Sequence, residues 1–357
     1  MAECILVGNG GGGGYELTMT SNGKFQYPAN VVIPANVTSL GAGNSEGGFY
    51  NHTEIENVTF EDANNITALS NDVFNGCTSL QSFDIPAGVT SINNNAFRGC
   101  IALASVTIPA NVTSIGTYAF YGCPLTNITW ETADRSVTYG NYAFSHSGIT
   151  DTGITQALAK GTSFGTYLFE YCDNLVNVTA RVPWNYMFQY CLGLKSIDLK
   201  DSNSHSTGTY VCRGCIALET VAISSGIETI GTYAFDGCGA LESVTIADTV
   251  TNIGSYAFRN CTSLQTITLP SSITSINANS FTGCTSLTNI VLGEGWDCAC
   301  SFSAVTTLTE ASLVGILNSL ADLTSSSAKT LTLGSTNLNK LTAEEKLVAL
   351  NKNWNLA

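Results

Sequence analysis

The chain has 357 residues, of which 44% are hydrophobic and only 11% are Asp, Glu, Lys or Arg, against about 25% charged residues in a typical soluble domain. No run approaches the roughly 20 apolar residues that a membrane-spanning helix needs, so we expect no membrane span. The net charge of −14 argues against a nucleic-acid partner, because phosphate contacts need Lys and Arg.

Residues 1–30 are predicted to form a Gly-rich leader and an N-terminal cap. The apolar stretch at residues 4–7 is too short for a secretion signal, and no basic residue precedes it. The glycines of residues 8–13 match the GxGxxG spacing of a dinucleotide site. A true dinucleotide site must open a helix, and residues 15–18 have no helical periodicity. We interpret this stretch as a tether and expect no cofactor.

Residues 31–300 are organised by a motif that reads Ala-Phe-x-Gly-Cys and recurs about every 23 residues. The positions equivalent to its Phe are Phe74, Phe97, Phe120, Phe144, Phe169, Phe188, Cys212, Phe235, Phe258 and Phe281, with Phe49 in a degenerate first copy. Each copy begins Leu-x-x-Val-x-Ile, which predicts a strand. Ala257, Phe258 and Cys261 then have the spacing of one helical turn. Such short units bury their apolar residues only by stacking, so about eleven copies predict a solenoid.

The copies resemble BspA-type leucine-rich repeats, also called the LRR_5 family. One copy, residues 112–123, reads Val-Thr-Ser-Ile-Gly-Thr-Tyr-Ala-Phe-Tyr-Gly-Cys. The resemblance implies a right-handed α/β solenoid, and members of this family are associated with surface adhesion and binding rather than catalysis. Ser147 replaces the repeat Cys, Cys212 replaces the Phe, and one copy is shortened, so we expect irregular coils there.

Residues 301–357 are predicted to form an α/β C-terminal cap. Apolar residues follow helical spacing over residues 308–323, residues 330–333 have the pattern of a last strand, and Thr342–Glu345 has the pattern of a capping box that starts a helix through about Lys352. A solenoid needs such a cap with a polar outer face. The segment and the Gly-rich leader resemble those of phage tail or virion-associated repeat proteins of gut bacteria.

The cysteines and histidines provide little support for a catalytic or metal site. Nine of the thirteen cysteines occupy one repeat position: Cys77, Cys100, Cys123, Cys172, Cys191, Cys215, Cys238, Cys261 and Cys284. Equivalent side chains in stacked coils point the same way, which favours buried thiols over disulfides. The pairs Cys212/Cys215 and Cys298/Cys300 lack a second ligand pair, and His52, His146 and His205 lie far apart. We therefore expect no metal site and no enzyme.

The strongest candidate for ligand binding is an aromatic column. A tyrosine stands two residues before the core position in seven consecutive copies: Tyr118, Tyr142, Tyr167, Tyr186, Tyr210, Tyr233 and Tyr256. Stacked coils would place these rings in a ladder along one side. The ladder either packs against itself and shields the coil or recognises a glycan or protein.

A second candidate surface is the outward side of the strands. Its positions are small and polar: Asp84, Thr107, Thr129, Thr179, Asp198, Thr245 and Thr268. We predict non-enzymatic recognition or adhesion, with a protein or glycan on a cell surface as partner. The specific hypothesis is a phage virion or tail-associated protein at a virion or extracellular surface. The alternatives are a structural subunit that assembles with itself or with virion proteins, and a bacterial cell-surface adhesin.

Overall fold

The computed structural model describes residues 18–19, 25–35, 37, 39–41, 49–131, 136–181, 185–200 and 205–357. The predicted tether at residues 8–13 lies outside this range. The chain divides into two compact units, Met1–Leu175 and Val176–Ala357. No helix within the described residues is long and apolar enough to cross a membrane.

The first unit is built from short strands and one helix. In chain order its elements are β1 Thr18–Met19, β2 Phe25–Gln26, β3 Asn30–Ile33, β4 Asn57–Phe60, β5 Ala68–Leu69, β6 Ser82–Phe83, β7 Ser91–Ile92, β8 Ser105–Ile108, β9 Ser114–Ile115, β10 Asn127–Trp130, β11 Val137–Tyr139, α1 Asp151–Lys160 and β12 Gly161–Ser163.

The second unit continues the repeat and ends in a mixed α/β segment. Its elements are β13 Asn177–Arg181, β14 Ser196–Lys200, β15 Thr220–Ile223, β16 Thr229–Ile230, β17 Ser243–Ile246, β18 Asn252–Ile253, β19 Thr266–Leu269, β20 Ser275–Ile276, β21 Asn289–Leu292, α2 Glu310–Ser319, β22 Lys329–Leu331, α3 Gly334–Leu338, α4 Ala343–Asn351 and β23 Trp354–Leu356.

Equivalent repeat positions pair in parallel between successive coils, which is the arrangement of a solenoid. The longer strands form β3-β4-β6 and β8-β10 in the first unit, and β13-β14-β15-β17 and β19-β21 in the second. The short second strands form β5-β7-β9-β11-β12 and β16-β18-β20. Apolar and polar residues alternate, so in β8 Val106 and Ile108 are buried and Thr107 is exposed. The predicted α/β repeat solenoid is confirmed.

The predicted helical turn after the second strand is wrong. Residues Tyr256 and Asn260 have left-handed backbones, with φ of 57° and 60°, which a right-handed helix cannot contain. The N–H groups of Phe258 and Asn260 instead donate to the carbonyls of Ser280 and Thr282 in the next coil, both at 2.9 Å. Within each unit, consecutive turns therefore form a further row of hydrogen bonds between neighbouring coils.

The core consists of columns of identical side chains. The fully buried rings of Phe97 and Phe120 stack with centroids 5.1 Å apart and planes 5° apart, and Phe235 and Phe258 stack at 5.4 Å. Full burial of a Phe stabilises the fold by roughly 1.5–3 kcal/mol relative to exposure. These columns explain why a chain of short units forms one continuous core within each unit.

Helix α1 is an insertion that periodicity did not predict. Its ten residues include Gly153, Thr152 and Thr155, which are poor helix formers. Tertiary packing holds it instead: Ile154 and Ala157 are buried, and the Tyr139 hydroxyl donates to the Ala157 carbonyl at 2.9 Å.

The C-terminal segment covers the last strand of the repeat. The Thr309 side chain accepts from Ser312 N at 3.1 Å and starts α2, and the Ser312 hydroxyl accepts from Ile290 N in β21 at 2.9 Å. The predicted capping box at Thr342 is present and starts α4. Residues 330–333 were predicted as a strand, and the strand observed there is Lys329–Leu331; α3 and β23 were not predicted.

Candidate functional site

All seven tyrosines of the aromatic column lie half-buried in the left-handed region, with φ between 55° and 62°. Asp72 and Asn95 hold the same repeat position with φ of 59° and 57°, as expected because Asn and Asp tolerate this conformation best among the residues with a Cβ. A bulky side chain costs about 1–2 kcal/mol there. Another interaction must therefore offset the cost of each tyrosine.

Ring stacking supplies that interaction within each unit. In the first unit the centroids of Tyr118 and Tyr142 are 4.8 Å apart, and those of Tyr142 and Tyr167 are 4.5 Å apart. In the second unit the successive distances are 4.7, 4.8 and 4.9 Å along Tyr186, Tyr210, Tyr233 and Tyr256. The planes of neighbouring rings differ by 3° to 16°. We call these two rows the tyrosine ladders.

The stacking decides which part of each ring a ligand could reach. The faces of interior rings are covered by the neighbouring tyrosines, so a sugar cannot stack on them. Burial is the main cause of a raised pKa at Tyr210, and the neighbouring Tyr186 and Tyr233 raise this pKa further. Burial is also the main cause of the raised pKa of Tyr142, where Glu170 adds to the effect. These phenols therefore keep their protons near neutral pH and present hydroxyl groups.

Arginines one residue after the core position lie beside the ladders. The Cζ atom of Arg259 is 5.0 Å from the ring centroid of Tyr233 and 5.1 Å from that of Tyr256, while the two centroids are 4.9 Å apart. The three points form a nearly equilateral triangle, so the guanidinium lies beside the stack rather than over a ring face. The Cζ atom of Arg98 lies 5.0 Å from the ring centroid of Tyr118 and 5.5 Å from that of Tyr121.

In the second unit two of these arginines share a buried carboxylate. Arg259 donates from Nε to Asp236 Oδ1 at 2.7 Å and from Nη2 to Oδ2 at 2.8 Å. Arg213 donates from Nε to the same Oδ2 at 3.2 Å. The Asp236 side chain is 5% exposed, against 35% and 30% for Arg213 and Arg259. Hydrogen bonding to Asp236 raises the pKa of Arg259, and the carboxylate holds both guanidinium groups in place.

Sequence reasoning missed a second set of aromatic side chains, two residues after the core position. Most coils have Gly there with positive φ, but His146, Tyr171 and Tyr190 adopt the same conformation, with φ of 56°, 53° and 57°. The rings of His146 and Tyr171 stack at 4.5 Å, and Arg213 lies 5.9 Å from the Tyr190 ring. Bulky residues in a column of glycines were the pattern that could have identified this set.

The strand surface has the predicted polarity. The seven outward positions are exposed, except for Asp198, which is half-buried. Asp198 is one of the residues that line a shallow depression of about 250 Å³ in the second unit. Its Oδ2 pairs with Lys200 Nζ at 2.6 Å, which neutralises its charge. A smaller depression of about 130 Å³ lies between Asp84, Thr107 and Thr129 in the first unit. This surface offers no concentrated charge or exposed aromatic ring.

The cysteine column is buried, as expected, and its thiols are free. Within each unit these thiols donate to carbonyls of the preceding coil, as Cys100 does to Phe74 O at 3.1 Å and Cys261 to Phe235 O at 3.3 Å. Burial raises the pKa of Cys77 and of Cys172 to about 12. Within the described part of the chain, no group of three or more His, Cys, Asp or Glu side chains is placed to hold a metal ion.

Solved structures with a similar fold come from several bacteria. A leucine-rich cell surface protein from Faecalibacterium prausnitzii is 26% identical, with 76% of this chain and 80% of that chain covered and a TM-score of 0.46. A leucine-rich repeat protein from Bacteroides ovatus is 22% identical over 92% and 83%, with a TM-score of 0.50. The pneumococcal vaccine antigen PcpA is 15% identical over 95% and 80%, with a TM-score of 0.47.

No curated protein matches this chain. The family model for BspA type leucine-rich repeat regions, which spans six copies, matches residues 24–150, 90–205 and 184–298. These matches cover most of the chain and contain every tyrosine of the two ladders. The chain therefore belongs to the family of BspA type leucine-rich repeat proteins.

Proposed function

We propose that the protein is a non-enzymatic recognition and adhesion protein that binds a protein or glycan on a cell surface through its tyrosine ladders. The observation that carries this proposal is the recurrence of tyrosine in a left-handed conformation that Asp72 and Asn95 adopt at lower cost. Unfavourable backbone conformations concentrate at binding sites. Tyr and Arg are also the residues most enriched in the energetic centres of protein interfaces.

The ladders suit distributed contact with a long partner. Neighbouring hydroxyl-bearing rings repeat every 4.5 to 4.9 Å, and their stacking removes much of the side-chain freedom that binding would otherwise have to restrict. Many weak contacts in a row add through multivalency. The membership in a family associated with adhesion supports the same function.

Packing alone is the alternative role for the tyrosines, and a binding experiment separates the two. We would replace Tyr210, Tyr233 and Tyr256 together with Asn, the residue that Asn95 shows to fit this position. The matched control replaces the strand-surface residues Thr179, Thr245 and Thr268 with Ser. Binding would be measured to a printed glycan array and to immobilised mucin, with circular dichroism to confirm folding.

The proposal predicts that the tyrosine variant loses at least about tenfold in affinity while the threonine variant keeps its binding. Unchanged binding by a folded tyrosine variant would assign the ladders to packing alone. Loss of binding in the threonine variant only would move the site to the strand surface.

We also propose that residues 1–30, 31–300 and 301–357 act as leader with N-terminal cap, solenoid and C-terminal cap. The packing of α2 on β21 through Ser312 supports the C-terminal assignment. An extracellular surface location suits the proposed partner. The virion location and self-assembly stay predictions, which the flanking genes and light scattering of the purified protein would test.

A further inference from the structure

The arginines beside the second ladder have hydrogen-bond donors to spare. A guanidinium has five N–H donors. Arg213 donates one of these hydrogen bonds to Asp236, and Arg259 donates two. Both side chains are about one-third exposed. The two arginines and Asp236 together carry one positive charge that can face a ligand.

The same column of side chains contains a buried amide oxygen without a hydrogen-bond partner. Gln189 holds the position of Arg213 in the preceding coil, is 5% exposed, and its Oε1 accepts no hydrogen bond. An unsatisfied buried polar atom costs roughly 1–3 kcal/mol, and such atoms are rare enough in native structures that each needs an explanation. This amide is a second and independent indication of a site. The Oε1 atom is a hydrogen-bond acceptor, so a hydroxyl group of a ligand would donate to it.

We propose that Gln189, Arg213 and Arg259, with the edges of Tyr190, Tyr210 and Tyr233, bind an acidic glycan through its carboxylate or sulfate group. The inference rests on the proposed function and names its ligand class. A planar guanidinium held by Asp236 matches the two oxygens of such an anion. The sugar hydroxyls next to the acidic group supply the partners for Gln189 and for the tyrosine hydroxyls.

The charge of the whole chain does not prevent this binding. The −14 charge is spread over the molecule, and salt at physiological strength screens charges beyond about 8 Å. A carboxylate or sulfate in direct contact with Arg213 is screened far less, because the contact excludes solvent. The negative net charge also weakens unspecific attraction of polyanions, so binding of an acidic probe would indicate a defined site.

The test compares Arg213→Gln with Lys195→Gln. Arg213→Gln leaves the bidentate pair of Arg259 and Asp236 intact, so that the carboxylate stays paired and the coil stays folded. Lys195 is exposed and lies just before β14, with its Nζ 3.6 Å from Glu219 Oε1, so its replacement makes the same change in charge at another position. Calorimetry at 0.15 M salt would use oligogalacturonate as the carboxylate probe, dextran sulfate as the sulfate probe and neutral dextran as control.

The inference predicts binding of at least one acidic probe, weakened about tenfold or more by Arg213→Gln and less than about twofold by Lys195→Gln. The probe that binds identifies carboxylate or sulfate as the ligand group. Equal losses in the two variants would overturn the inference in favour of unspecific charge effects. Binding of neutral dextran or of neutral glycans on the array, without binding of either acidic probe, would overturn it while the proposed function stands. No binding to any of these glycans would also overturn the inference, and the proposed function would then require a protein partner.

Discussion

Tyr233→Asn is the substitution that tests whether stacking holds the tyrosines in their left-handed conformation. Tyr233 stacks on both sides, at 4.8 Å on Tyr210 and at 4.9 Å on Tyr256. Each aromatic pair contributes about 0.5–1.5 kcal/mol beyond area burial, so the change removes about 1–3 kcal/mol. Loss of the half-buried ring removes roughly 1 kcal/mol more, and the better fit of Asn to the backbone returns about 1 kcal/mol.

The net expectation is a destabilisation of about 1–3 kcal/mol, and Tyr256→Asn is the matched control. Among the described residues Tyr256 stacks only on Tyr233, because Asn279 holds its position in the next coil. Arg259 lies equally close to both rings, so its contribution cancels in the comparison.

Urea unfolding at 25 °C provides the assay, since a shift in midpoint at constant slope reports stability. The loss of stability in Tyr256→Asn should be smaller than that in Tyr233→Asn by about 0.5–1.5 kcal/mol, which is the contribution of one stacked pair. Equal losses in the two variants, or a more stable Tyr233→Asn, would refute the reasoning.

Three further predictions concern buried groups. Burial raises the pKa of the Cys172 thiol from 9.0 to about 12, so the folded state keeps a proton that the unfolded state loses, and stability falls as pH rises above 9. Cys172→Ser, which copies Ser147 of the preceding coil, should reduce that fall by about 1.4 kcal/mol per pH unit between pH 9 and 12. Urea titrations under reducing conditions would measure it, and an unchanged dependence of stability on pH would contradict the prediction. The twelve described cysteines are buried, so Ellman's reagent at pH 8 should detect at most one thiol before unfolding and thirteen after it, and rapid labelling of several would contradict the thiol column. Arg259→Gln should lower the urea midpoint more than Arg213→Gln, because it removes two of the three hydrogen bonds to Asp236; the reverse order would count against the bidentate pair.

The repeat made most of the fold predictable from sequence. Stacked identical positions follow from spacing alone, as the pairing of Val106 with Ile128 in β8 and β10 illustrates. The thiol column followed from the same argument, because equivalent cysteines point in one direction. The C-terminal capping box was predictable because Thr342 and Glu345 satisfy each other's backbone groups locally.

The errors arose where backbone conformation or tertiary contact overrides pattern. Spacing of Ala257, Phe258 and Cys261 matched a helical turn, yet the left-handed Tyr256 and Asn260 exclude one. Helix α1 depends on packing of Ile154 rather than on propensity. The shared carboxylate of Asp236 was not predictable, since no local pattern distinguishes this Asp from a solvated charge.

Hydroxyl-radical footprinting of the ligand-bound protein tests the central claim most directly. Radicals oxidise accessible tyrosine rings, and the tyrosines of the second ladder are half-buried. The proposed function predicts that a bound glycan or protein lowers the oxidation of Tyr210, Tyr233 and Tyr256. Unchanged oxidation of all three at saturating ligand would contradict recognition through this ladder.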